Sequence, residues 1–469
     1  MKKLITVAIV SVLFLSACNT NPAENEFYNK GLDHLQNNEY SLALEQFRLA
    51  IDSDNGHSES YIEAADILID KGQYDDAVSL LDGGKDHARE KPGIYERLAE
   101  VSFITGDLDK ALEYYNQALK LDPESRTAML GKINVLSLQG KTDALLSFVK
   151  NLNTGSLDQE LKIVKGLVLL EERSLAIDMF DQAATGSNES LITIAERLSK
   201  LTELLESDPD NELFNLAKIA FAALDSGWFA VAFPITNLMV DSNEFYEGSY
   251  TYRGVIYLNL FNFDEAITNL KQAVKLSPDD SSIKILLAQA YFHAGEWESA
   301  RSTLNRIKSS PKETIANISQ ILNLLLEFER YNQANTFINR YVNTGGEVTP
   351  EFQILQLEVY LGIENFEKSQ VVAEKLLDDI DQLAPERQAR AYTLIAFSTF
   401  KAGNKADGQD MLTKAQSLDS TDPLSYLYEG MIDLDQENYD DAKAAFSRAV
   451  DLDFEGNVSA RASALLAQL

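Results

Sequence analysis

Residues 92–123 read PGIYERLAEVSFITGDLDKALEYYNQALKLDP. Tyr95, Leu98, Ala99 and Ser102 recur at the three-and-four spacing of one helix face, and Leu108, Ala111, Tyr115 and Ala118 do so again after the breaker Gly106-Asp107. Pro123 ends the second pattern. Ala99 and Ala111 carry almost no side chain, so two antiparallel helices meet closely there, with Tyr95 and Tyr115 filling the space on either side. A single hairpin of this kind cannot bury its own apolar faces and requires stacked copies.

The chain supplies them. The alanine at the helix–helix contact stands at Ala43, Ala77 and Ala111, then at Ala266, Ala300 and Ala334, each 34 residues after the last within its series. Around these positions the same frame returns. It is Phe27, Gly31, Tyr40, Phe47 and Ala50 in one copy, and Tyr250, Gly254, Tyr257, Phe263, Leu270, Ala273 and Pro278 in another. A late copy has Tyr426, Gly430, Tyr439, Ala442, Phe446 and Ala449. The order of aromatic and small residues over 34 positions resembles the tetratricopeptide repeat. The resemblance implies an all-α fold: a right-handed superhelical solenoid of about 12 helix-turn-helix hairpins.

The spacing is not uniform. From Ala176 to Ala230 it is 54 residues, one period plus 20, which places an extra helix over Leu191–Leu205. Pro234 then falls inside a predicted second helix and is expected to kink or shorten it. The expected organisation is therefore an N-terminal repeat arm over 26–184, an irregular joint over 185–246, a C-terminal arm over 247–456 and a capping helix over 457–469.

Ahead of the repeats, Lys2-Lys3 precede an apolar run from Leu4 to Leu15 and the sequence Leu15-Ser16-Ala17-Cys18. Twelve apolar residues are short for a membrane span. The segment resembles the lipobox of bacterial lipoproteins. The resemblance implies a signal peptide over 1–18, lipidation of Cys18 and a membrane anchor of several acyl chains, with residues 19–25 as a tether. Asn19, in place of the aspartate that retains such proteins in the inner membrane, implies the periplasmic face of an outer membrane.

Formal net charge is −32. Such a surface repels nucleic acid and anionic polymers. His34, His57, His87 and His293 lie in different hairpins or turns, so no metal pair forms on one helix face. Cys18 is the sole cysteine. No nucleophile elbow, phosphate loop or dinucleotide fingerprint is present, so neither enzyme activity nor a cofactor is expected. Asp52 to Glu63 begins like a calcium loop, but His57 stands where glycine is needed, and inter-repeat turn chemistry explains the segment. Trp297, at the start of a second helix, reads as a core anchor.

Repeat solenoids present their first helices along a concave face. The positions expected to line it are Tyr28, Leu32, Ile62, Asp66, Glu96, Glu100, Phe103, Val255, Ile285, Ile354, Glu358, Leu427 and Met431. Over nine clear copies, a trio of such positions in each, 27 in all, holds 18 apolar residues, four acids and no base, with Leu258, Phe292, Leu361 and Phe400 among the third positions. The last position of each trio either faces the groove or packs on the neighbouring repeat. Chaperone-binding members of the resembled family clamp a carboxylate with cations at these places, and that activity is not carried over. An apolar groove edged with acid suits amphipathic or basic peptide segments of other envelope proteins. The expected function is a lipid-anchored, non-enzymatic scaffold. By resemblance alone its role lies in envelope assembly or surface-polymer secretion. A self-assembling structural lipoprotein and a regulatory subunit of a cell-wall enzyme are the alternatives.

Overall fold

The computed structural model describes residues 22–307, 315–453 and 456–469. Among them there are 26 α-helices and no strand. Five hairpins come first: α1/α2 (Pro22–Gln36, Tyr40–Ser53), α3/α4 (Ser58–Asp70, Tyr74–His87), α5/α6 (Pro92–Ile104, Leu108–Leu121), α7/α8 (Arg126–Leu138, Thr142–Asn151) and α9/α10 (Gln159–Val168, Arg173–Ala184). A lone helix, α11 (Glu189–Ser207), follows. The series resumes with α12/α13 (Glu212–Asp225, Phe229–Ser242), α14/α15 (Glu247–Asn259, Phe263–Leu276), α16/α17 (Ser281–His293, Trp297–Asn305) and α18/α19 (Ile315–Glu327, Tyr331–Asn343). It closes with α20/α21 (Pro350–Gly362, Phe366–Asp378), α22/α23 (Pro385–Lys401, Lys405–Leu418), α24/α25 (Pro423–Asp435, Tyr439–Leu452) and the single α26 (Asn457–Leu466).

The opening stretch shows how each hairpin is made. Pro92 starts α5, where its missing N–H costs nothing. Gly106 turns the chain with φ +84°, and Asp107 caps α6 by accepting from the Lys110 amide at 3.1 Å. Ala99, Ala111 and Ala118 are fully buried. The left-handed turn residue marks the repeat as sharply as the alanine does. It recurs at Asn38, Gly72, Gly106 and Gly140, and again at Gly227, Phe261, Gly295 and Glu329, always 34 apart. Where glycine is absent, the turn is held against the preference of an L residue, which shows how firmly the two helices dictate its geometry.

Close packing divides the described chain into two units. The first holds residues up to Asn29, Gln46–Ile69 and Gln73–Ala300, and the second holds Lys30–Glu45, Asp70–Gly72 and Arg301–Leu469. In the first unit one continuous core runs from Ile133 to Ile256 and takes in Phe180, Leu198, Leu201 and Trp228, so α11 is packed as tightly as its neighbours. In the second, Ile354, Leu361, Ile395, Phe397, Leu427 and Phe446 belong to one cluster, against which Val458 and Leu465 of α26 pack.

Three expectations are corrected. α1 begins at Pro22, inside the expected tether 19–25, because proline is well placed in a first helical turn. α13 is not shortened at Pro234 and runs 14 residues through it. Its missing N–H falls in a helix whose Val231, Ala232, Ile235 and Met239 are all buried, and packing outweighs the missing bond. Trp297 is 43% exposed: it stands at the rim of α17 with its ring 5.9 Å from Phe292, covering the core from outside. Cys18 and the leader lie outside the described residues.

Candidate inner face of the first unit

α3 and α5 place Ile62, Glu63 and Asp66 beside Glu96, Arg97, Glu100 and Phe103. A charged residue on one first helix reaches the next first helix across the repeat boundary. Arg97 donates through Nη2 to Asp66 Oδ2 at 3.1 Å and through Nε to Asp66 Oδ1, and its Nη1 lies 3.7 Å from Glu100 Oε2. Ser125, the cap of α7, donates to Glu96 Oε1 at 2.5 Å while accepting from the Ala128 amide. Asp66 and Glu96 are thus spent in joining successive repeats, and neither is free to receive a basic partner. Burial alone would lower the Arg97 pKa, but Asp66 and Glu100 more than offset it and hold the guanidinium above its ordinary range.

Glu63 has no such partner. Burial, followed by the charge of Asp66, pushes its carboxyl up to about 7, with Arg97 opposing. A carboxyl whose pKa is higher folded than unfolded binds its proton more tightly in the folded state. Its contribution to stability is therefore present below the unfolded value and is lost as pH rises toward 7. Glu63→Gln should raise the melting temperature at pH 8 and leave it unchanged near pH 4. Equal melting of the two chains at pH 8 would show that the Glu63 carboxylate is solvated after all.

The remaining expected groove positions divide by burial. Tyr28 is half-buried, with its ring 5.6 Å from Phe47 and edge-on to His57 at 4.9 Å, so it belongs as much to the core as to the surface. Leu32, Val255 and Met431 are also half-buried. Ile285, Ile354 and Leu427 are buried, Leu427 completely, and are withdrawn from the partner-facing set. Each fills the space against a neighbouring first helix, which the repeat frame alone does not reveal. Of the last trio positions, Leu258, Phe292, Leu361 and Phe400 are buried, whereas Phe103 is not. Glu358 is not a free acid either: Arg390 Nη2 donates to it at 3.1 Å.

The expectation of a face without cations therefore needs amending. Arg97 and Arg390 both lie among the acids of first helices, and the signal for them is a spacing. Asp66 and Arg97 are 31 residues apart, and Glu358 and Arg390 are 32 apart. That is one repeat less most of a turn, which brings two charges on adjacent first helices together. Asp54, in the calcium-loop look-alike, accepts from the Gly56 amide at 2.8 Å and pairs with Arg89, as a turn residue does. Among the described residues no group of three or more His, Cys, Asp or Glu is placed to hold a metal ion. No helix among them is long and apolar enough to cross a membrane. Of the expected positions on α3 and α5, Ile62 and Phe103 are half-buried, and the Glu100 side chain is 38% exposed beside Arg97.

The tetratricopeptide repeat family matches residues 28–93, 92–125 and 258–323. No curated protein matches. Among solved structures, the chain is similar to the anaphase-promoting complex hetero-tetramer Cut9-Hcn1 at 16% identity and a TM-score of 0.39, covering 95% of this chain and 96% of that one. It is also similar to yeast Tom70 at 16% identity and a TM-score of 0.36, with the same coverage. The matched stretches contain the 34-residue frame and the left-handed turns described above. The chain contains tetratricopeptide repeats over residues 28–125 and 258–323.

Proposed function

We propose that the chain is a non-enzymatic scaffold, anchored to the periplasmic face of an outer membrane through lipid on Cys18, that holds other envelope proteins by peptide-like segments. The observation that carries the binding part is the strip of Ile62, Glu100 and Phe103. It offers apolar surface beside Glu100, whose side chain is 38% exposed while lying 3.7 Å from Arg97. Apolar contact with one exposed acid, on a chain of net charge −32, suits an amphipathic segment carrying basic residues. Glu100→Lys with Phe103→Lys should abolish capture of such a partner while leaving the helical circular dichroism unchanged. Undiminished capture would remove this strip from the binding surface.

The anchor is supported by the sequence around Cys18 and is tested separately. Cys18→Ser should move the protein from the membrane fraction to the soluble fraction, since acyl chains rather than any described helix would hold it there. Unchanged membrane fractionation would contradict lipidation at Cys18.

A further inference from the structure

The lone helix α11 interrupts the pairing of helices, and its C-terminal end borders a recess. This recess of about 320 Å³ opens between the turn before α10, the end of α11, the start of α12 and the end of α13. Its volume lies at the small end of ligand pockets, which run from ~300 to ~1,000 Å³. Leu216 forms part of a buried apolar floor, and the half-buried Leu238 forms one wall. Arg173 is tied by Nη2 to Glu212 Oε1 at 2.9 Å, but its other terminal nitrogen, Nη1, is buried with no hydrogen-bond partner. Exposed Glu171 and Asp241 stand at the mouth.

These groups make different demands on an occupant. The leucines call for one apolar side chain. With Arg173 neutralised by Glu212, the mouth carries the charge of Glu171 and Asp241, which calls for cations on either side of that side chain. A small anion would meet two carboxylates at the entrance, and a bare hydrocarbon would leave their charge unmet. We infer that this recess is a peptide-docking site for a partner segment with an apolar residue flanked by lysine or arginine. The inference rests on the scaffold reading above but places a contact outside the strip on α3 and α5.

The test uses the full-length chain and two fluorescein-labelled peptides, each with a leucine pair flanked on both sides by two lysines or by two glutamates. Fluorescence anisotropy at physiological salt should show saturable binding of the lysine peptide and none of the glutamate peptide. Asp241→Lys and Leu238→Glu should each weaken binding at least about tenfold. Glu113→Lys, an exposed charge reversal on α6, should change it by less than about twofold. Asp241 is a surface position, so its reversal reads the site without threatening the fold. Equal loss with Glu113→Lys would assign binding to net charge, and unaltered binding by both recess variants would place the peptide elsewhere. Either result, or no saturable binding of the lysine peptide, overturns the inference. Capture through Glu100 and Phe103 would be unaffected by any of these outcomes, so the scaffold reading stands or falls separately.

Discussion

Phe446→Ala should cost about 3–5 kcal/mol and unfold the last hairpin ahead of the rest of its unit. Phe446 is fully buried on α25, with its ring against α24 where Gly430 leaves room. A Cβ at Gly430 would lie 2.5 Å from that ring, so the glycine and the phenylalanine form one fitted pair across the hairpin. Alanine at 446 leaves a cavity that Gly430, with no side chain, cannot fill. Because repeats are stabilised by their own packing and that of their immediate neighbours, the loss should stay local. Hydrogen exchange should show α24, α25 and α26 losing protection while α20 and α21 keep theirs. A loss below about 1 kcal/mol, or uniform deprotection of the unit, would mean that the pair is not the lock of this hairpin.

Arg390→Met is expected to cost about 3 kcal/mol near neutral pH. The Arg390 guanidinium sits between Glu358 Oε1 at 3.1 Å and Asp422 Oδ1 at 3.2 Å. Asp422 also accepts from Thr393 Oγ1 at 3.2 Å and caps α24 through the Leu424 amide. Burial disfavours the charged guanidinium, yet the two carboxylates hold its pKa above the ordinary range. Methionine keeps much of the packing but leaves two half-buried carboxylates facing each other without a cation. Loss of one partner from a fully buried pair costs ~3–5 kcal/mol, and Arg390 is 27% exposed, so the lower end applies. Urea unfolding at pH 7 measures it. Equal stability of the two chains at pH 7 would show that solvent already screens the cluster.

The hairpins were legible because their spacing is written in residues that packing cannot exchange. Ala43, Ala77, Ala111, Ala266, Ala300, Ala334 and Ala442 are all fully buried where helices meet. The extra helix was legible for the same reason: a gap of one period plus 20 residues leaves room for one helix, and α11 fills it. The surface was less legible. Whether Ile354 or Leu427 faces solvent depends on how closely successive first helices approach, and small rotations between repeats set that distance without leaving a trace in the 34-residue frame. Arg97 and Arg390 were missed for a related reason. Each lies off the three positions taken to face inward, and only the neighbouring helix directs its long side chain toward an acid. The lost backbone bond at Pro234 does not shorten α13, because the four buried side chains around it hold the helix.

The central claim is that the half-buried strip on α3 and α5 receives another protein. Incorporation of a photo-crosslinking amino acid at Glu100, followed by irradiation of intact cells and mass spectrometry, tests it most directly. The expected result is a discrete adduct with an envelope protein, trapped through a segment rich in apolar and basic residues, and absent when the photo-crosslinker is placed at Glu113 on α6. Identical adducts from Glu100 and Glu113, or none from Glu100, would contradict it.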